Sequence, residues 1–280
     1  MRARIWGCRG SLATPGRETL RYGGNTSCVE LALADGSTLV LDAGTGLRAL
    51  GLKLAAEGVR TIHLCLTHLH IDHIEGLGFF APLWSAETEL HVWGPPSQIR
   101  TLRERIAHYL APPLFPFDLA AIPSRLYFRD APAASWQIGG ATVRAETVSH
   151  PGPTLGYRVE EDGRSLAYMP DHEPALGVEL ESLSSDWVSG YGIAAGSSAL
   201  LHDAQYTEGE YPEKVGWGHS SVADAVAFAR IAETERLVLF HHDPLHTDGD
   251  LVELESRAGE LWRNGGPPPE LAFEGMEIEL

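Results

Sequence analysis

Along this chain of 280 residues, apolar positions fall in two rhythms. Some runs are short and continuous, or alternate with a period of two, and read as strands. Others recur every three or four positions and read as helices. "CVELALADGSTLVLDAG" (28–44) sets two apolar runs on either side of Asp35 and Gly36, the pattern of a β-hairpin. "TGLRALGLKLAAEG" (45–58) has helical spacing, with Thr45 placed as an N-cap and Gly58 as a stop. "TIHLCL" (61–66) predicts a buried strand, and "DHIEGLGFFAPLW" (72–84) the start of a helix. Proline-rich stretches at 94–98 and 111–118 predict loops. Strands are predicted over 141–150, 154–160, 165–171 and 236–241, with a closing strand over 271–280. Helices are predicted over 221–234 and 250–266. Strands alternating with helices in both halves predict α/β layers.

The polar residues that interrupt this pattern carry the chemistry. "LTHLHIDHIEG" (66–76) follows an apolar strand and packs His68, His70, Asp72 and His73 into six positions. His68 and His70 are two apart, so an extended segment turns both imidazoles to one side. Asp72 and His73 follow as the chain bends. Two such pairs can serve two adjacent metal ions, but four ligands do not fill two sites. The remainder must come from other strand ends, where α/β folds hold reactive groups on loops. His150 ends "TVSH", Asp171 ends "AYMPD", and His241 with its neighbour His242 ends "LVLFHH". The ligand set is then His68, His70 and His150 on one ion, Asp72, His73 and a ring of the His241–His242 pair on the other, with Asp171 shared. Imidazole and carboxylate donors without thiolate suit a catalytic site better than a closed structural zinc site. Zinc is the default divalent cation for both positions, and manganese or iron suits the same donors.

His-x-His-x-Asp-His after a strand, followed by single ligands at later strand ends, resembles the metallo-β-lactamase superfamily. The resemblance covers nearly the whole chain. It implies one hydrolase domain over 1–280, folded as a four-layer αββα sandwich. "LVLDAGTGL" resembles the superfamily's first motif, which implies that Asp42 supports a ligand and does not bind metal itself. Aligning "HHDP" with the family's His-x-Ser-Pro pattern selects His241 as the last ligand. "IWGCRGSLATPG" and "RYGGNTSCVEL" look like the N-terminal hairpin of the ribonuclease Z branch. "HDAQY" (202–206) is similar to that branch's His-Glu-Ala-Thr motif, with Asp203 in the glutamate place. "GHSSVADA" (218–225) resembles its Gly-His-Ser-Thr motif, with His219 in the place of a catalytic histidine. The same layout occurs in small phosphodiesterases related to ribonuclease Z, including the cyclic-phosphate phosphodiesterase of phosphonate breakdown. Class B1 β-lactamases carry Arg where this chain has His73, which disfavours an antibiotic hydrolase. The branch's tRNA-gripping arm has no counterpart, since only the acidic segment 172–202 separates Asp171 from Asp203.

The activity implied is a metal-dependent phosphodiesterase. Paired cations make hydroxide available near neutral pH from a water bridging them, with Asp72 at the reacting centre. His219 gives a proton to the leaving alkoxide, and Asp203 orients its ring. The substrates implied are small or cyclic phosphodiesters, nucleotides or nucleic-acid ends. A net charge of −17, from 38 acids and 21 bases, disfavours general nucleic-acid binding. No apolar run reaches membrane-spanning length, and the N-terminus lacks the apolar core of a signal peptide. Cys8, Cys28 and Cys65 fit neither a zinc finger nor a disulfide framework and read as reduced thiols of a cytoplasmic protein. A homo-oligomer is compatible with the sequence, although no exposed apolar stripe marks an interface. Two rival readings stand beside this one. The first is a thioester, lactone or β-lactam hydrolase on the same metals, whose better leaving group needs no His219. The second is a metal- or RNA-binding protein without catalysis. His202 is a candidate support residue; His63, His91, His108, His172 and His246 carry no assigned role. The stretch 77–149 is the variable middle of such chains and could shape a substrate pocket.

Overall fold

Burial alternates along the strands, and the apolar faces pair into two seven-stranded sheets. The computed structural model describes residues 1–262 and 266–280. The first half supplies β1 (Arg2–Gly7), β2 (Cys28–Ala32), β3 (Thr38–Leu41), β4 (Thr61–Cys65), β5 (Glu89–Gly94) and β6 (Arg125–Asp130). The second supplies β7 (Trp136–Ile138), β8 (Ala141–Thr147), β9 (Leu155–Glu161), β10 (Arg164–Met169), β11 (Ala199–Asp203), β12 (Leu237–Phe240) and β13 (Glu270–Leu271). The last strand, β14 (Glu277–Glu279), returns to pair antiparallel with β1. The first sheet runs β14-β1-β2-β3-β4-β5-β6 and the second β13-β12-β11-β10-β9-β8-β7. Each sheet begins antiparallel and continues parallel, switching at β3 in the first and β10 in the second.

The expected αββα sandwich is present. Ile5, Leu31, Leu41, Tyr157, Tyr168 and Phe240 fill the space between the sheets and are fully buried. Helices α1 (Leu47–Ala56) and α2 (Leu102–Tyr109) cover the outer face of the first sheet over Val40, Ile62, Leu64 and Leu90. A single turn, α3 (Tyr191–Ala194), with α4 (Val222–Ile231) and α5 (Asp248–Leu261), covers the second over Ala167, Leu200 and Leu239. The carboxyl ends of β3, β4, β8, β10, β11 and β12 carry Asp42, His68, His150, Asp171, Asp203 and His241. Among the described residues no helix is long and apolar enough to cross a membrane. All three cysteines are buried free thiols.

Several expected elements take a different form. The 28–44 hairpin turns where expected, with Ser37 N donating to Asp35 Oδ1 at 2.8 Å and Gly36 at φ +86°. Thr45 does not cap α1; Gly46 holds that position without a side-chain bond. Thr45 Oγ1 instead accepts from Thr26 N, and Thr26 Oγ1 from Thr45 N, each at 2.9 Å, tying the helix start to the first sheet. Residues 72–84 form no α-helix. They make 3₁₀ turns at Ile71–His73, Leu77–Phe79 and Ala81–Trp84. The chain is pressed against its neighbours here, because a Cβ on Gly76 would lie 2.1 Å from the Gly44 carbonyl and one on Gly78 2.4 Å from the Phe115 ring. The closing segment 271–280 splits at Gly275, φ +91°, so β13 joins one sheet and β14 the other. The helix expected over 250–266 begins earlier, at Asp248, with a Thr247–Asp250 capping box, and ends at Leu261; its expected residues 263–265 lie outside the described residues.

Candidate metal centre

The strand-end residues converge on one buried volume. The donor atoms of His68, His70, His150 and Asp171 form one group and those of Asp72, His73 and His241 a second, each within 4.8 Å of one another. Asp171 stands between them. Its Oδ1 lies 2.9 Å from His73 Nε2 and 3.3 Å from His241 Nε2. Its Oδ2 lies 3.7 Å from the Nε2 atoms of both His68 and His150. One oxygen thus faces each group. Asp72 Oδ2 lies 3.2 Å from His73 Nε2 and 3.3 Å from His241 Nε2. His241, not His242, turns into the cluster; His242 points away and its Nε2 donates to the Ala272 carbonyl at 2.8 Å. His241 reaches in through a left-handed backbone, φ +62°.

The rings of His68, His73, His150 and His241 are each aimed by a partner on the far nitrogen. Asp42 Oδ2 accepts from His73 Nδ1 at 2.8 Å and from Tyr168 Oη at 3.1 Å. Asp42 Oδ1 accepts from Thr67 N at 2.7 Å, and Thr67 Oγ1 lies 3.0 Å from His68 Nδ1. With that hydroxyl donating to Asp42, it accepts from His68 Nδ1 and leaves Nε2 a bare acceptor. Gly218 O accepts from His150 Nδ1 at 2.8 Å, and Gln205 Oε1 from His241 Nδ1 at 3.0 Å. These bonds fix the tautomers so that lone pairs face inward. The inward atoms then lack partners: His68 Nε2, His73 Nε2 and Asp171 Oδ1 are buried without a hydrogen bond, and His150 Nε2 sits 3.2 Å from His70 Nδ1. Buried polar atoms seldom go unpaired. Lone pairs converging in two groups, joined by one carboxylate, fit divalent cations and fit little else. Burial pushes His68 well below its ordinary pKa, in keeping with a bare Nε2. At His73 the carboxylates of Asp171, Asp72 and Asp42 outweigh burial and push it well above, so positive charge is favoured there, which a cation on Nε2 would supply in place of a proton.

Asp203 and His219 lie against this cluster. Asp203 is fully buried, and its Oδ2 accepts from His219 Nδ1 at 2.7 Å and from His172 N at 3.1 Å. Its Oδ1 accepts from Gln205 N and Ser220 N at 3.1 and 3.2 Å. The His219 ring stacks on His241 at 4.9 Å and meets His150 edge-on at 5.1 Å. Burial lowers its pKa, but the charge and hydrogen bond of Asp203, with Asp171 and Asp72 beyond, push it up to about 9. Ser221 caps α4 by accepting from Asp224 N at 3.1 Å, which fixes the helix start just after His219.

The remaining histidines fall outside the cluster. His202 Nδ1 donates to the Asp203 carbonyl at 2.7 Å, and its Nε2 lies 2.9 Å from His172 Nδ1, beneath the site. His63 and His91 stack at 4.8 Å on neighbouring strands, and His246 pairs with Glu210.

Three residues that shape the site stand out only in the structure. Gln205 aims His241. Ser11 N donates to Asp72 Oδ2 at 2.8 Å. Glu173, fully buried, accepts from Tyr211 Oη at 2.9 Å and from Gly216 N and Gly218 N at 2.8 Å, so it holds the loop that presents Gly218 and His219. Gln205 lies inside "HDAQY" and Glu173 two positions past Asp171, so adjacency to motif residues was their only sequence signal.

Residues 37–242 match the Beta-lactamase superfamily domain. Ribonuclease Z of Mycobacterium sp. (strain KMS) is 29% identical over 254 residues, covering 81% of this chain and 82% of that protein. The metallo-β-lactamase fold protein YhfI from Bacillus subtilis superposes with a TM-score of 0.70 at 17% identity over 99% of both chains. A diphosphatase from the PhnP family superposes with a TM-score of 0.68 at 16% identity, over 100% of this chain and 97% of that one.

Proposed function

The chain belongs to the β-lactamase superfamily, and from that premise we propose that it is a dinuclear metal-dependent phosphodiesterase acting on small phosphodiesters. His68, His70 and His150 would hold one cation, Asp72, His73 and His241 the other, and Asp171 would serve both. Zinc suits the donors best, with manganese or iron as alternatives. Divalent cations held in this way supply Lewis acidity toward a phosphoryl group and toward water.

The single observation that carries the phosphodiester reading is the 2.7 Å bond between Asp203 and His219 beside both groups. An alkoxide leaving from phosphorus needs a proton; a thiolate leaving from a thioester does not. Asp203 accepts from Nδ1, so the ring delivers a proton from Nε2, which has no protein partner among the described residues. Stacking on His241 keeps the ring at the edge of the cluster, and the Ser221 cap of α4 keeps the backbone from drifting. Asp42, Gln205 and Gly218 hold the ligand rings in their tautomers while charge at the centre changes. The relatives named ribonuclease Z are in keeping with this chemistry. The short, acidic 172–202 segment and the net charge of −17 favour a small substrate over a folded RNA.

The test is hydrolysis of a 2′,3′-cyclic nucleotide, whose leaving group is an alkoxide, and of a thioester by zinc- or manganese-loaded protein. Wild type cleaves the diester, Asp72→Ala abolishes that activity, and His219→Ala lowers it by about 10²–10⁴-fold. Cleavage of the thioester alone, indifferent to His219→Ala, would overturn the assignment.

A further inference from the structure

The variable middle of the chain builds a cavity against the metal-binding cluster. It has a volume of about 360 Å³ and runs from His68 and His70 to a wall of Leu69, Pro95, Ile99 and Pro151. The wall comes from the loops after β4, β5 and β8. Neither His219 nor His241 lines it. The cavity therefore lies on the His68–His70 side of the cluster, and a branch seated in it does not meet His219. A phosphoryl group centred on the cluster sends one ester branch toward His219 and the other toward the cavity.

We propose that this cavity is the subsite for the retained branch of the phosphodiester, and that the branch is nucleotide-like: one flat ring system bearing an anionic group. This assignment rests on the phosphodiesterase reading. The ring follows from the walls. Proline and aliphatic side chains offer flat apolar surface, and Ile99 is 90% exposed, an unusual state for an isoleucine beside a reactive centre. The volume suits one ring and its sugar and is too small for a base-paired end. The anion follows from the charge. Arg100 lines the cavity and forms no ion pair among the described residues, in a chain whose net charge is −17. Arg105, also on the lining, is committed to the wall itself: its guanidinium donates to the Pro95 carbonyl and lies 3.7 Å from Asp130. The proline-rich wall is braced before any ligand arrives, so little ordering opposes binding.

Three substrates with one leaving group isolate the subsite: methyl p-nitrophenyl phosphate, thymidine 5′-(p-nitrophenyl phosphate), and the latter carrying a 3′-phosphate. All three release p-nitrophenolate, so kcat/KM ratios report the retained branch alone. Burying roughly 100 Å² of ring surface favours the thymidine ester over the methyl ester on the order of 50-fold in wild type. The 3′-phosphate adds about tenfold through Arg100. Ile99→Ser cuts the ring preference about fivefold, and Arg100→Ala erases the 3′-phosphate preference while leaving the ring preference in place. Equal kcat/KM for the three esters, or ratios that neither variant moves, overturns the subsite and leaves the phosphodiesterase reading standing. Failure of metal-loaded wild type to cleave any of them overturns both.

Discussion

Glu173 touches neither candidate metal position, yet the geometry makes it decisive for activity. Its carboxylate gathers three donors, Tyr211 Oη, Gly216 N and Gly218 N, all within 2.9 Å. The loop so held delivers Gly218 O to His150 Nδ1 and is followed at once by His219. Glu173→Ala removes every acceptor. Gly216 is exposed and its N–H returns to water, but Gly218 is buried and its N–H does not. One orphaned buried amide, the lost charge-assisted bond to it and the stranded Tyr211 hydroxyl together cost about 2–4 kcal/mol. Glu173→Gln is milder. The amide oxygen can stay on Gly218 while its NH₂ donates to the Tyr211 oxygen, so the loss is about 1 kcal/mol.

That loss falls on docking of the loop before it falls on the whole fold. A weakening of about 3 kcal/mol shifts the docked population by a factor on the order of 10². We expect Glu173→Ala to lower kcat for the cyclic nucleotide by about that factor, and Glu173→Gln by less than about tenfold. The two variants are compared with wild type by steady-state kinetics, zinc titration and urea unfolding. Zinc affinity at the position that includes His150 should weaken along with kcat, as happens when a ligand loses its hydrogen-bond partner. If Glu173→Ala loses stability but keeps kcat within twofold, the carboxylate is only a packing group and the argument from the loop is wrong.

Other perturbations test other links. Gln205→Leu leaves His241 Nδ1 without its acceptor, so zinc at the Asp72–His73–His241 position should bind about 10–100-fold more weakly, read by metal content after dialysis. Replacing Asp203 by Asn keeps the shape but offers His219 an unsuitable partner; kcat should fall at least about 10²-fold with little change in zinc content. Stripping metal with a chelator should lower the melting temperature, because bound cation stabilises only the folded chain, by about 4 kcal/mol at a thousandfold excess over its Kd. His202 is fully buried, with burial pushing its pKa down to about 4. It stays neutral in the fold while an unfolded chain gains its proton near pH 6.5, so its contribution is full above pH 6.5 and is lost as pH falls from there to about 4, to a total of about 3 kcal/mol. Urea unfolding of chelated protein should show His202→Asn flattening that slope; an unchanged slope refutes it.

How much of this was legible in the sequence depended on whether local spacing or distant packing fixed each feature. The strands that end in His68, His150, Asp171 and His241 are short apolar runs, and their polar ends were readable because a ligand interrupts the pattern. Failure came where tertiary contact overrides local preference. Residues 72–84 have helical spacing, but Gly76 and Gly78 are pressed against Gly44 and Phe115, and an α-helix cannot follow that path. Thr45 has the chemistry of an N-cap, but Thr26, on the strand side, claims its hydroxyl. The 77–149 region hid β5, β6, β7 and α2; in "RLYFRD" the less exposed positions alternate, but Tyr127 between Leu126 and Phe128 masks that alternation in the sequence. The site divides in the same way. Ligands announce themselves by residue type, since few side chains bind a divalent cation. The groups that aim them do not, because a carboxylate, an amide or a backbone carbonyl can all accept from an imidazole N–H. Asp42, Gln205 and Gly218 perform one task with three chemistries, and of these only Asp42, inside "LVLDAGTGL", sits in a motif that marks it. Glu173 is the extreme case, a buried charge that acts through two backbone amides. Such a residue is found by asking where each buried donor goes, which only coordinates can answer.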